Sequence, residues 1–261
     1  MKSDENKDKN STKISLRSLP FVSDTKIKKG LAVLYDLKGT VPPSVWNTVD
    51  NKAGDIRRFF RQIRIVETES NDNYVCWTSD GKVLAELLFL TNELNTYYSY
   101  LHNIFLARIP QYYYLQKLLK ENPKTTFEKK ELFQKLKETL INLGYELPEP
   151  TFNTIIALAE ATHLIEKRGS SVSANPDIIK QDYLSLILIC IRSIVERKNN
   201  SIIKTIDVIA CINNKLSNKQ ITPELVIDFI KNNAIQLKVN FEQGVGTKGV
   251  LGKYALLKVN K

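Results

Sequence analysis

Residues 53–90 read AGDIRRFFRQIRIVETESNDNYVCWTSDGKVLAELLFL. Ile56, Phe59, Phe60 and Ile63 recur at the i, i+3, i+4, i+7 spacing that places side chains on one side of a helix. The spacing predicts a helix from Gly54 to Ile65 with that face buried. Arg57, Arg61 and Arg64 share a second stripe, with Arg58 beside it, so one helix can sit in a core and present a cationic ridge. A polar loop at Glu69–Asn73 follows, and Tyr74, Cys76 and Trp77 suit a strand returning from it. A further helix opens at Ser79-Asp80-Gly81.

Upstream, Asp24 is placed to cap a helix carrying Ile27, Leu31 and Leu34 on one face and stopping near Gly39. Pro42 and Pro43 open a short second helix through Val45 and Trp46, with Trp46 as core filler, and the turn around Asn51 leads into the arginine helix. Helix, helix, helix, hairpin is an order that resembles the winged-helix (winged helix-turn-helix) superfamily. The resemblance implies a small domain closed by an antiparallel wing, with its third helix in the recognition position.

Downstream, Thr91–Pro110 (TNELNTYYSYLHNIFLARIP) reads as a helical connector whose Tyr97, Tyr98 and Tyr100 seal an interface between modules. The plan then recurs. Leu115, Leu118 and Leu119 mark a helix ended by Asn122-Pro123, and Phe127–Leu143 a second with Leu132, Phe133, Leu136 and Leu140 buried. Pro148 and Pro150 launch a third through Phe152, Ile155, Ile156 and Ala159, and Ala161–Gly169 resembles the passage from a recognition helix into a wing. After Asn175-Pro176, helices are expected at Tyr183–Val195 and Ile202–Leu216, then one capped by Thr222 with Pro223 at its first position. Strands are expected at Ile235–Phe241 and Lys253–Val259. The expected fold class is mainly α (α+β), as tandem winged-helix modules with small hairpins. Residues 1–18 form a polar tail, 19–90 module 1, 91–110 the connector, 111–174 module 2 and 175–261 module 3.

The 261 residues carry 38 Lys and Arg against 28 Asp and Glu, a net charge of +10 that favours an anionic partner, nucleic acid first. A lysine-rich solubilising surface would give the same number. Cys76, Cys190 and Cys211 lack disulfide or zinc spacing, which suits buried thiols in a reducing cytoplasm. His102 and His163 have no ligand-spaced neighbours, so no metal and no cofactor is expected. Met1–Lys13 has no apolar run of the secretory type, and Leu184–Ile191 is too short to span a bilayer. The expected location is cytoplasmic, nucleoid-associated in a prokaryote, with no membrane partner.

The three recognition-type helices differ in their expected exposed faces. The first presents Arg57, Arg58, Arg61 and Arg64. The second presents Asn153, Thr154, Ala157 and Glu160, and the third Glu224, Asp228 and Lys231. Phosphate contacts supply most of the affinity for DNA, and arginine is the commonest reader of guanine edges. The expected DNA-contacting set is therefore Lys52, Arg57, Arg58, Arg61 and Arg64 in the first module. Asn153, Thr154, Lys167 and Arg168 join it from the second, and Lys248 and Lys253 from the third. The third module reads rather as an assembly module, a possible seat for a protein partner together with the tyrosine-rich connector.

Two motif matches bear on catalysis. Gly244, Gly246 and Gly249 spell GxGxxG, but a dinucleotide site needs a helix after the glycines, and KYALLKV reads as a strand. Pro176-Asp177 followed by Glu196-Arg197-Lys198 resembles the PD-(D/E)xK nuclease superfamily, which places its second acid on a strand; here that acid falls in a helix-length segment. No catalytic residue is nominated. Two functions stand: a double-stranded DNA-binding protein, serving regulation or restriction and mobile-element recognition, or a winged-helix scaffold for protein assembly. The three-module layout also resembles the DNA-recognition portion of type IIS restriction enzymes.

Overall fold

The computed structural model describes residues 19–20, 22–49, 53–68, 74–91, 93–175, 183–215, 222–242 and 256–259. One element order occurs three times, with one short extra helix in the third. The first unit is α1 (Asp24–Asp36), β1 (Thr40–Val41), α2 (Pro43–Val49), α3 (Ala53–Gln62), β2 (Val66–Thr68) and β3 (Val75–Trp77). After α4 (Ser79–Phe89) and α5 (Leu94–Arg108), the second is α6 (Pro110–Glu121), β4 (Thr126–Glu128), α7 (Lys129–Ile141), α8 (Glu149–Ala161), β5 (Ile165–Arg168) and β6 (Ser171–Ala174). The third is α9 (Tyr183–Lys198), β7 (Ile202–Lys204), α10 (Thr205–Lys215), α11 (Pro223–Asn232), α12 (Ala234–Leu237), β8 (Val239–Glu242) and β9 (Leu256–Val259). Each unit has a three-stranded antiparallel sheet in which the last strand lies between the other two. The protein is thus mainly helical with small antiparallel sheets, as the sequence led us to expect.

The first strand of every sheet escaped the sequence reading. Expected helices at Phe127–Leu143 and Ile202–Leu216 begin later, at Lys129 and Thr205. The residues ahead of them pair instead with distant partners, Phe127 with Val172 and Ile203 with Leu257. A three-residue edge strand offers a single inward apolar residue, too little for alternation to show. Ile235–Leu237, expected as strand, is a short helix before β8. Asp24 is a first-turn acid of α1; Ser23 is the cap, its hydroxyl accepting from the Lys26 amide at 3.4 Å.

The third helices of the first two units end alike. Arg64 and His163 adopt φ of 50° and 58°. The next amides reach back to Phe60 and Ala159 carbonyls at 3.0 and 2.8 Å, satisfying groups a helix end leaves open. Gly39, at φ 90°, lies under Trp77, whose ring a Cβ would strike at 2.1 Å. Gly81 lets α4 start hard against the residue that leads into β2, because a Cβ there would meet the Ile65 carbonyl oxygen at 2.1 Å.

Helix α5 holds the units together. Tyr97, Tyr100, Leu101, Ile104, Phe105 and Leu106 are all buried, so apolar residues surround the helix rather than forming one stripe. It packs on α4, α6 and α11. The Phe105 ring lies 6.0 Å from Phe59 of the first unit and 5.4 Å from Tyr112 of the second, both edge-on. Tyr98 donates to Asp24 at 3.1 Å and abuts His163 at 4.9 Å, so the connector tyrosines do lie between units. His102 is a core residue, its Nδ1 2.7 Å from the Tyr112 hydroxyl.

Candidate nucleic-acid interface

The arginine helix is anchored from below. Ile56, Phe59, Phe60 and Ile63 are fully buried, and Trp46 meets Phe60 edge-on at 5.9 Å. Arg58 and Arg61 are exposed on the opposite side and Arg57 is half-buried. Burial, and then the Arg61 charge, press the Arg57 guanidinium below its usual range. Arginine titrates so far above neutrality that it keeps its charge. Arg61 donates to the Thr68 hydroxyl on β2, which braces the helix against the strand that follows it. Lys52 lies outside the described residues.

Arg64 takes a different role from its neighbours. Its guanidinium pairs with Asp228 of α11 at 2.6 Å, so it faces the third unit. Asp228 was expected on an exposed acidic face; it is buried, and Arg108 Nε reaches its other oxygen at 2.9 Å. Arg108 is itself 3% exposed and also pairs with Asp80 of α4. It donates to the Ile63 carbonyl at 2.6 Å as well. Asp80 further accepts from the Tyr100 hydroxyl at 2.7 Å and from Thr222, the N-cap of α11. Two arginines and two aspartates thus form a neutral cluster where the end of α3, the start of α4, α5 and α11 meet. A paired, hydrogen-bonded arrangement is what burying such charges requires. The expected surface stripe on α11 is thereby reduced to Glu224 and Lys231, because its middle member is not at the surface.

The second unit also departs from expectation. Thr154 is fully buried, its hydroxyl donating to the Pro150 carbonyl at 3.2 Å, so it is no surface contact. Asn153 is half-buried and Glu160 exposed. Lys167 and Arg168 stand out on β5, with Glu166 3.6 Å from the Arg168 guanidinium. Lys129 and Lys130, absent from the sequence-based set, begin α7 beside the β5–β6 turn, where the Lys129 amide donates to the Ser170 carbonyl at 2.9 Å. Only a backbone contact to a residue forty positions away reveals that grouping.

In the third unit Glu224 and Lys231 are exposed, while Lys248 and Lys253 lie outside the described residues. So does Asp177, the first acid of the nuclease-like pattern. Glu196 and Lys198 fall within α9, a helix where the nuclease pattern needs a strand. The glycine run joins β8 to β9, which pair antiparallel from Val239↔Val259 to Glu242↔Leu256. Among the described residues no acidic or histidine/cysteine cluster could hold a metal ion, and no helix is long and apolar enough to cross a membrane.

No family model, curated protein or solved structure matches this chain. A role must therefore come from the chemistry of particular residues rather than from kinship.

Proposed function

We propose that this is a double-stranded DNA-binding protein of tandem winged-helix units, and that α3 is its principal contact. The observation that carries the reading is the division of α3 into a locked apolar face and an outward arginine face. A helix with Arg57, Arg58 and Arg61 on one side can turn these cations toward phosphates or into a groove. The other two third helices are less suited. α11 is turned into the α5 contact, and α8 offers Asn153 and Glu160 but no cation. Lys129, Lys130, Lys167 and Arg168 on the second unit supply a second cationic region.

The test is a salt titration of duplex binding. Each phosphate neutralised contributes about 0.9 to the slope of log affinity against log salt. Arg57→Ala and Arg61→Ala should each flatten that slope by about one unit and weaken all duplexes alike, unless the arginine reads a base. Wild-type binding by both variants at every salt concentration would remove α3 from the interface.

An assembly role is the second reading, and one surface favours it. Phe89, Leu90 and Leu94 are 40%, 67% and 45% exposed around the α4–α5 junction, and the Phe89 ring lies tilted against Tyr35 of α1 at 5.3 Å. Clustered exposed apolar side chains are the usual mark of a protein contact. Light scattering of the wild type and of Leu90→Glu would show whether that surface joins chains.

A further inference from the structure

The second unit carries a cleft of about 560 Å³ between the start of α7, the start of α8 and the β5–β6 turn. Sites for small ligands commonly enclose roughly 300–1,000 Å³. Its base is formed by Phe133 and Phe152, whose ring centroids lie 5.0 Å apart at 52°. Phe152 is shut in at 1% exposure, whereas Phe133 is only half-buried; the Lys137 ammonium lies over its ring at 5.6 Å, so a base meets the part of the ring that Lys137 and Phe152 leave uncovered.

The polar lining is uncommitted where it matters. Lys129 and Lys130 form no ion pair among the described residues, although Lys135, a turn or so further along α7, pairs with Glu131 at 3.3 Å. The Asn153 side chain has no hydrogen-bond partner among the described residues either. Glu128 is already engaged: Ser171 Oγ donates to it at 2.8 Å, and the Ser170 and Ser171 hydroxyls together hold its carboxyl below the usual range. Glu149 stands one turn before Asn153 on α8.

These groups narrow the ligand. An aliphatic side chain would cover the rings and leave both lysines without an anion. A bare phosphate would suit the lysines and leave the rings in water. A planar heterocycle carrying a phosphate satisfies both, and its polar edge meets an amide that donates and accepts and a carboxylate that accepts from an amino group. We propose that this cleft binds a nucleotide, with the base against Phe133 and the phosphate at Lys129 and Lys130. Asn153 and Glu149 then face the base edge, which favours a base bearing an exocyclic amine. The site is separate from α3 and does not rest on the duplex reading, although Lys129 and Lys130 also belong to the second cationic region of that reading.

The experiment uses the full chain and two probes, a 2-aminopurine mononucleotide and a short single strand containing one 2-aminopurine. Stacking of that base quenches its fluorescence. Saturable quenching of the mononucleotide identifies a free nucleotide as ligand, and quenching of the strand alone identifies a nucleotide within a chain. Phe133→Leu keeps apolar volume but removes the ring, and should weaken the quenched complex by about 5- to 150-fold, the range for one base on one aromatic side chain. Lys129→Ala with Lys130→Ala should flatten the salt dependence of the strand by about 0.7 per phosphate lost. Lys82→Ala, which removes one exposed cation from α4, should leave both signals unchanged, which separates this site from a general loss of positive charge. Absence of quenching with both probes overturns the proposal, as does quenching of equal strength in Phe133→Leu and in the double lysine variant.

Discussion

Removing Arg108 is the most informative perturbation of this fold. Its guanidinium is 3% exposed and holds two carboxylates, Asp80 at 1% and Asp228 at 6%. Arg108→Met keeps most of the stem volume and takes away only the charged head. Asp80 then retains the Tyr100 and Thr222 hydroxyls, and Asp228 retains Arg64, so neither acid loses every partner. The remaining cluster carries two negative charges against one exposed positive one, and the Ile63 carbonyl loses a donor. Breaking a buried pair from one side costs about 3–5 kcal/mol, a large part of the roughly 5–15 kcal/mol that holds a typical fold. For a chain of this size that corresponds to a fall in Tm of roughly 6–20 °C. Thermal and urea denaturation of Arg108→Met would read it. The triple variant Arg108→Met, Asp80→Asn, Asp228→Asn should lose less than the single one, because no unpaired charge is left inside. A single variant costing under about 1 kcal/mol, or a triple variant worse than the single, would refute the reading of this cluster as a buried charge lock.

Three further outcomes follow from the same geometry. Arg64→Ala removes a half-open partner from an acid that keeps Arg108, so it should cost about 0–1 kcal/mol in denaturation and leave the duplex salt slope unchanged, unlike Arg57→Ala. Burial pushes the Tyr183 hydroxyl up to about 12, and those of Tyr97, Tyr100 and Tyr112 higher than the ordinary value as well. Between about 10 and the raised values the unfolded chain has released protons that the folded chain keeps, so stability is whole below about 10 and falls as the pH rises, and the share of tyrosinate absorbance that belongs to these four rings should appear only together with loss of helical dichroism. Burial, with Cys211 beside it, pushes the Cys190 thiol up to about 12, so an alkylating reagent near neutral pH should label Cys76 and Cys211 while Cys190 reacts only in denaturant.

What the sequence revealed and what it hid divide along sequence separation. The α3 face, the α7 stripe and the hairpins after α3 and α8 rest on neighbours within a few residues, where periodicity is a direct record of burial. The edge strands β4 and β7 were read as helix because their partners lie about 45 and 55 positions away. Asp228 misled for a similar reason. Glu224, Asp228 and Lys231 make an ordinary solvent stripe by spacing, and only Arg108, 120 residues upstream, turns its middle member inward. By spacing Arg64 belongs to the stripe of Arg57 and Arg61, and in the fold it ties the end of α3 to α11 of the third unit. Thr154 shows the limit from the opposite direction: a polar residue on α8 satisfied by a carbonyl one turn back is free to be buried.

The enclosure of α5 has a consequence for any duplex that touches more than one unit. Modules hung on loose linkers can shift along a double helix until each finds its step. Here the first and third units are bolted through Arg108, and the first and second meet around Phe105 and Tyr98. The spacing between α3 and the lysines of the second unit is a property of the protein alone. The compliance must then come from the nucleic acid, whose persistence length of about 150 base pairs makes a bend over 20–30 base pairs cost of order 1–6 kcal/mol. Sequences that kink readily would be preferred at positions no side chain reaches, and a rigid α5 would be read out as DNA flexibility.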